Sequence, residues 1–193
     1  MTVVPTQCGT ALKEWATVLE ALARGEQWVL IRKGGLIEPD GGFDVVQPWF
    51  VFYPTFEHQA VRYLRPEYQG YFASAAQHRA PDGCVRFNLC GLAVRTVQSA
   101  DGGLVERLRR FHIYNEDFLI QRMKCQPQEP LTVVVVRTSR LVEPCQVPVA
   151  AAYAGCKSWV QLDAPVDCAS AEPAVEEGRF NRQLGALAML LED

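Results

Sequence analysis

Residues 131–142 read Leu131-Thr-Val-Val-Val-Val136-Arg-Thr-Ser-Arg-Leu-Val142. The run opens on apolar and β-branched residues with no helical period, the signature of a central strand buried on both faces. It predicts a strand that carries on to Val142 and stops before Pro144. On its N-terminal side, Asn115-Glu116-Asp117 is a helix start. The asparagine side chain can cap an early amide, and the two acids suit the positive end of the dipole. That helix runs to about Lys124 and dies before Pro127. Further back, Cys84–Ser99 alternates as a second long strand, Asp101-Gly-Gly103 is a turn, and Leu104–Arg110 is a short helix. Downstream, 144–155 is loop-like, Lys157–Leu162 is a short strand, and 163–173, with Pro165 and Pro173, is a linker. The last stretch reads as a helix to Leu191, with Val175, Phe180, Leu184 and Leu187 on one side.

The chain opens, on this reading, as helix, strand, loop, strand. Residues 11–24 place Leu12, Trp15, Leu19 and Leu22 three to four apart, which predicts an amphipathic helix capped by Thr10 and stopped by Gly25. Gln27–Arg32 and Trp49–Tyr53 are strands, separated by two glycine turns, Gly34-Gly35 and Pro39-Asp-Gly-Gly42. Pro54-Thr55 looks like a junction at which Thr55 caps a short helix beginning at Phe56, and the aromatic, alanine-rich stretch 66–80 is a further helix interrupted by Pro66 and Gly70. Helices and strands are interspersed without the regularity of a doubly wound sheet, so the class is α+β: a mixed, mostly antiparallel sheet or small β-barrel with flanking helices. Residues 1–162 form one domain, and 163–193 supply a linker and C-terminal helix.

With 193 residues, 49% hydrophobic and 21% charged, the chain is long enough to bury a core without staples. Nineteen basic against 22 acidic residues give a net charge of −3, so no global basic field advertises nucleic acid or an anionic membrane. No signal peptide and no membrane-spanning run is read, which implies a soluble, cytoplasmic protein with no membrane partner. The seven cysteines are scattered without a CxxC pair, so they read as buried free thiols, with no metal and no cofactor implied.

Chemistry is sought in clusters. Arg32-Lys33-Gly34-Gly35 sets two cations before a flexible turn whose amides can grip an anion; equally, it is a solvated hairpin turn. In Trp49–Gln59, the aromatics up to Phe56 either stack a flat ligand or fill the core. Glu57 and His58 are adjacent, so they do not form a dyad automatically. His58 can serve as acid or base near neutrality, and Gln59 offers the donor and acceptor that a base edge requires. His112, between an arginine-rich turn and Tyr114, reads as a solvated basic helix end, and His78 as surface. Around Tyr153–Trp159, Lys157, Ser158 and Trp159 are candidates to bind a ligand, Trp159 being equally a core anchor; nothing local activates Cys156. There is no GxSxG, no HExxH and no acid-x-Lys nuclease spacing among Asp44, Glu57 and Glu129, so no motif supports an enzyme.

Together, Leu12–Ala16, Leu30–Gly35, Phe52–Gln59, His112–Asn115, Arg122, Pro130-Leu131 and Tyr153–Trp159 resemble the family known as domain of unknown function 1802. The likeness spans most of 11–162. It implies a link to restriction–modification, because some members accompany restriction-endonuclease-like domains; no such module is read here, so cutting would need a partner nuclease. By analogy of pattern alone, a helix ending in glycine followed by a strand ending in Arg-Lys resembles small barrels of the PUA and ASCH type, which bind RNA or modified bases. Three expectations follow: a nucleic-acid- or nucleotide-binding module with a local basic rim; an enzyme on a nucleotide-like or phosphorylated substrate, with His58 as acid–base; or a protein-interaction domain.

Overall fold

The pairing of two long strands organises the computed structural model, which describes residues 4–33, 43–125 and 127–191. These are β4, Cys84–Ser99, and β5, Leu131–Pro148. The valine run is the centre of β5, and Val133 to Val136 are each at most 2% exposed. β5 does not stop before Pro144 but continues to Pro148, so the expected loop begins later, with a 3-10 turn at Ala151–Tyr153.

Five more strands complete the sheet. They are β1 (Gln7–Trp15), β2 (Val29–Arg32), β3 (Trp49–Thr55), β6 (Trp159–Asp167) and β7 (Glu172–Pro173). The order is β2-β5-β4-β3-β1-β6, with β7 also on β5. Only β1 and β3 pair in parallel; the rest are antiparallel. The helices are α1 (Ala16–Arg24), α2 (Gly70–Gln77), α3 (Gly103–Arg107), α4 (Glu116–Lys124) and α5 (Glu177–Leu190). The protein is therefore α+β, with a mostly antiparallel seven-stranded open sheet and flanking helices.

Three expectations are corrected. The helix over 11–24 is half strand: 7–15 form β1, held between β3 and β6, and the helix starts only at Ala16. The apolar spacing of Leu12, Trp15, Leu19 and Leu22 fits a helix by coincidence, because sheet pairing on both edges decides the first half. Thr10 thus lies in a strand and caps nothing, while Gly25 ends α1 as expected, at φ 66°. No helix starts at Phe56 either. Thr55 closes β3, and its hydroxyl donates to the Glu14 carbonyl at 3.1 Å. The expected linker is partly sheet, since β6 runs to Asp167 and Glu172–Pro173 pair with Ser139–Arg140.

The sheet is curled. Five strands from β2 to β1 span four steps, about 19 Å if flat. Yet Arg32 Nη1 on β2 lies 3.1 Å from Glu14 Oε2 on β1. One face of the curl packs Leu12, Phe50, Phe52 and Val135 with the helices, and the other packs Ala11, Val51, Phe87 and Val160. His112, expected at a solvated helix end, has no exposed surface; Arg65 reaches in from elsewhere and donates to the His112 and Arg109 carbonyls at 2.8 and 2.6 Å. Of the cysteines, Cys8, Cys90 and Cys168 are buried as expected, Cys84 and Cys145 are partly exposed, and Cys125 and Cys156 are exposed.

Candidate functional site

A cleft of about 530 Å³ opens between α1, α2 and the sheet. Its origin is a break in the central ladder. Leu89 pairs with Arg140 and Phe87 with Cys145, so Asn88 alone opposes residues 141–144. A bulge of this size bends the strand away from its neighbour, and Pro144 within it cannot donate to the ladder. The floor and walls are apolar, from Leu19, Ala23, Phe56, Leu89 and Leu141 among others.

Its polar groups are Glu20, Arg24, His78, Arg86, Asn88 and Arg140. Glu20 is fully engaged: Oε2 takes Arg24 at 3.4 Å and the Ser74 hydroxyl at 3.2 Å, and Oε1 is 3.5 Å from His78 Nε2. Arg140 donates to the backbone carbonyls of Ala23 and Ala174, which leaves its charge without a carboxylate. The side chains of Arg86 and Asn88 have no hydrogen bond among the described residues. Three guanidinium groups thus meet one carboxylate around an apolar cavity, an arrangement suited to a ligand with an apolar body and an anionic group.

The residues singled out from the sequence fall in several places. Phe56 lines this cleft, with the Arg79 guanidinium 5.0 Å over its ring. Arg32 does not line the cleft; it is bonded to Glu14, with Phe43 5.1 Å away, and Phe43 in turn stacks on Trp159, whose indole N–H donates to the Asp44 carbonyl. Lys33 is 4% exposed and donates to the Met123 and Cys125 carbonyls. Gly34 and Gly35 lie outside the described residues. Glu57 and His58 are exposed, and His58 holds a left-handed backbone at φ 63°, rare without glycine. Lys157 donates to the Ala152 carbonyl, and Ser158 is buried with its carbonyl accepting from Lys13 N at 2.9 Å. Beside Lys157, Lys13 Nζ donates to the Tyr153 and Gly155 carbonyls at 2.6 and 3.0 Å. Burial, then the charge of Lys157, holds the Lys13 pKa below the ordinary lysine value.

Gln59 does a helix cap's work from a distance. Its Oε1 accepts from Thr17 N at 3.2 Å and from the Thr17 hydroxyl at 3.0 Å, in the first turn of α1, which has no cap of its own. Gln59→Ala is expected to cost about 1 kcal/mol in urea unfolding, the usual loss for a missing cap. An unchanged midpoint would show that water replaces the amide.

Glu20, Arg24, Arg86, Asn88 and Arg140 were not found from the sequence. The one local hint is Pro144, which lies in the bulge but in the sequence alone looks like a strand end. Among the described residues no three His, Cys, Asp or Glu side chains gather to hold a metal ion, and no helix is long and apolar enough to cross a membrane.

Fold and cleft together define an α+β protein with a curled, mostly antiparallel sheet and a basic-rimmed cleft beside its central bulge. The chain belongs to the family of domain of unknown function DUF1802, whose sequence model matches residues 11–186. No curated protein matches it. Similar solved structures include the ASCH protein of Zymomonas mobilis, at 13% identity over 92% of this chain and 94% of that one, TM-score 0.43. Two single-residue variants of that protein also match. One has 14% identity over 95% of this chain and 99% of that one, TM-score 0.44. The other has 11% identity over 92% and 96%, TM-score 0.43.

Proposed function

We propose that the protein is a nucleotide- or nucleic-acid-binding module that seats a single nucleotide in the cleft between α1, α2 and the bulge of β4 and β5. The observation that carries this reading is the convergence of Arg24, Arg86 and Arg140 on an apolar cavity of about 530 Å³, in a chain whose net charge is −3. That volume suits a nucleotide-sized ligand. Phe56 offers a ring face for a base. The half-buried Asn88 amide presents the donor and acceptor that a base edge needs, and Arg86 is free to meet phosphate. In the finer reading the base is an unusual one and the setting is genome defence, with cleavage left to a partner nuclease; the family resemblance supports that setting.

The test is equilibrium binding of nucleoside monophosphates and short single strands, some with modified bases, to wild type, Arg86→Ala and Asn88→Ala. Arg86→Ala is expected to weaken binding about tenfold or more, the worth of a charge-assisted hydrogen bond. Asn88→Ala should weaken it about threefold or more and blur discrimination between bases. Both variants should melt close to wild type, because neither side chain has a hydrogen-bond partner to lose among the described residues. Unchanged affinity in both would contradict the assignment.

A further inference from the structure

At the open seam of the curled sheet, a buried carboxylate on β1 holds a guanidinium from β2. α4 packs beside them, with Phe118 5.4 Å from the Trp15 ring and the Met123 carbonyl accepting from Lys33 Nζ at 3.2 Å. Glu14 is 5% exposed, and both its oxygens are in use: Oε1 accepts the Trp15 N–H at 2.8 Å and Oε2 the Arg32 Nη1 at 3.1 Å. Arg122, on α4, feels the charges of Arg32 and Glu14, and it and the buried Tyr114 act on one another. Its guanidinium stands 5.0 Å over the Phe118 ring, which stacks on Tyr114 at 3.8 Å. Among the described residues, no acceptor reaches it. Burial and the charge of Arg32 push its pKa below the usual arginine value. So a partly exposed cation stands beside the seam, with its donors unclaimed by any protein acceptor among the described residues.

We propose that Arg32 and Arg122 form an anion-binding site at this seam that takes a phosphate or phosphate-ester group, with Glu14 as the positioning residue for Arg32. One fork satisfies a planar carboxylate, whereas two forks from different elements suit a tetrahedral oxyanion with oxygens pointing several ways. Phe43 and Trp159 wall the Arg32 side. None of Glu14, Arg32 and Arg122 lines the 530 Å³ cleft, so this site stands independently of the nucleotide reading there.

The experiment is thermal unfolding of the full chain in inorganic phosphate, and separately with a short single-stranded oligonucleotide, each against chloride at matched ionic strength. Wild type, Arg122→Gln, Arg122→Lys and Arg86→Ala are compared. Phosphate is expected to raise the melting temperature of wild type and of Arg86→Ala alike. Arg122→Gln should melt no lower than wild type without phosphate and bind it at least tenfold more weakly, and Arg122→Lys should keep part of the shift. An oligonucleotide shift that also needs Arg122 would assign the phosphate to a strand; a shift with inorganic phosphate alone would assign a free one. Equal phosphate shifts in wild type and Arg122→Gln, or none above chloride in wild type, would overturn the proposal.

Discussion

Arg32→Ala is expected to destabilise the protein by about 3–5 kcal/mol, the cost of stripping one partner from a buried ion pair. Arg32 and Glu14 have side chains only 14% and 6% exposed. Without the guanidinium, the Glu14 carboxylate stays desolvated at the seam with a single backbone donor, the Trp15 N–H. For a chain of this length the melting temperature should fall by roughly 10 °C. Glu14→Leu combined with Arg32→Met should recover much of that loss, since removing both charges ends the desolvation cost. A loss under about 1 kcal/mol in Arg32→Ala would show the pair to be solvated.

The second large effect is a loss of stability in mild acid, centred on His112. Burial, above all, drives its pKa down from 6.5 to about 4; the Val105 carbonyl works the other way, and the Arg65 charge adds to the depression. Nε2 is 3.1 Å from that carbonyl, so the neutral ring carries its proton on Nε2 and leaves Nδ1 buried without a partner. Between pH 6.5 and 4 the unfolded chain binds a proton at this residue and the folded chain does not. The stabilisation is therefore complete above pH 6.5 and is lost as pH falls towards 4, by about 3 kcal/mol in all. Urea unfolding of wild type and His112→Gln across that range checks it. The wild-type curve should fall more steeply on acidification, and parallel curves would rule the histidine out.

What the sequence makes legible here is local. β4 and β5 are visible because alternation and a β-branched run need no partner to be recognised. α4 is visible because Asn115 caps its own helix, its side chain accepting from Phe118 N at 3.2 Å. β1 is hidden, since Leu12 and Trp15 satisfy a helical period equally well and only β3 and β6 settle the matter. The cleft is hidden for a similar reason. Arg24, Arg86 and Arg140 come from three elements, and the bulge that admits a ligand exists only in the register of β4 against β5. Gln59 and Lys33 look like binding residues because their polar groups suit ligands, yet both bind the protein's own backbone. His112 is buried beside Arg65, which donates to its backbone carbonyl from far away in the chain.

The cleft assignment is tested most directly by a thermal-shift panel of nucleotides, modified nucleosides and short oligonucleotides at low and high salt, run on wild type, Arg86→Ala and Arg122→Gln. A ligand at 100 times its dissociation constant adds about 2.7 kcal/mol of stability, a readily seen shift. The account predicts a salt-sensitive shift with a nucleotide that survives in Arg122→Gln and is largely lost in Arg86→Ala. No shift with any member of the panel, or one that Arg86→Ala leaves intact, would contradict it.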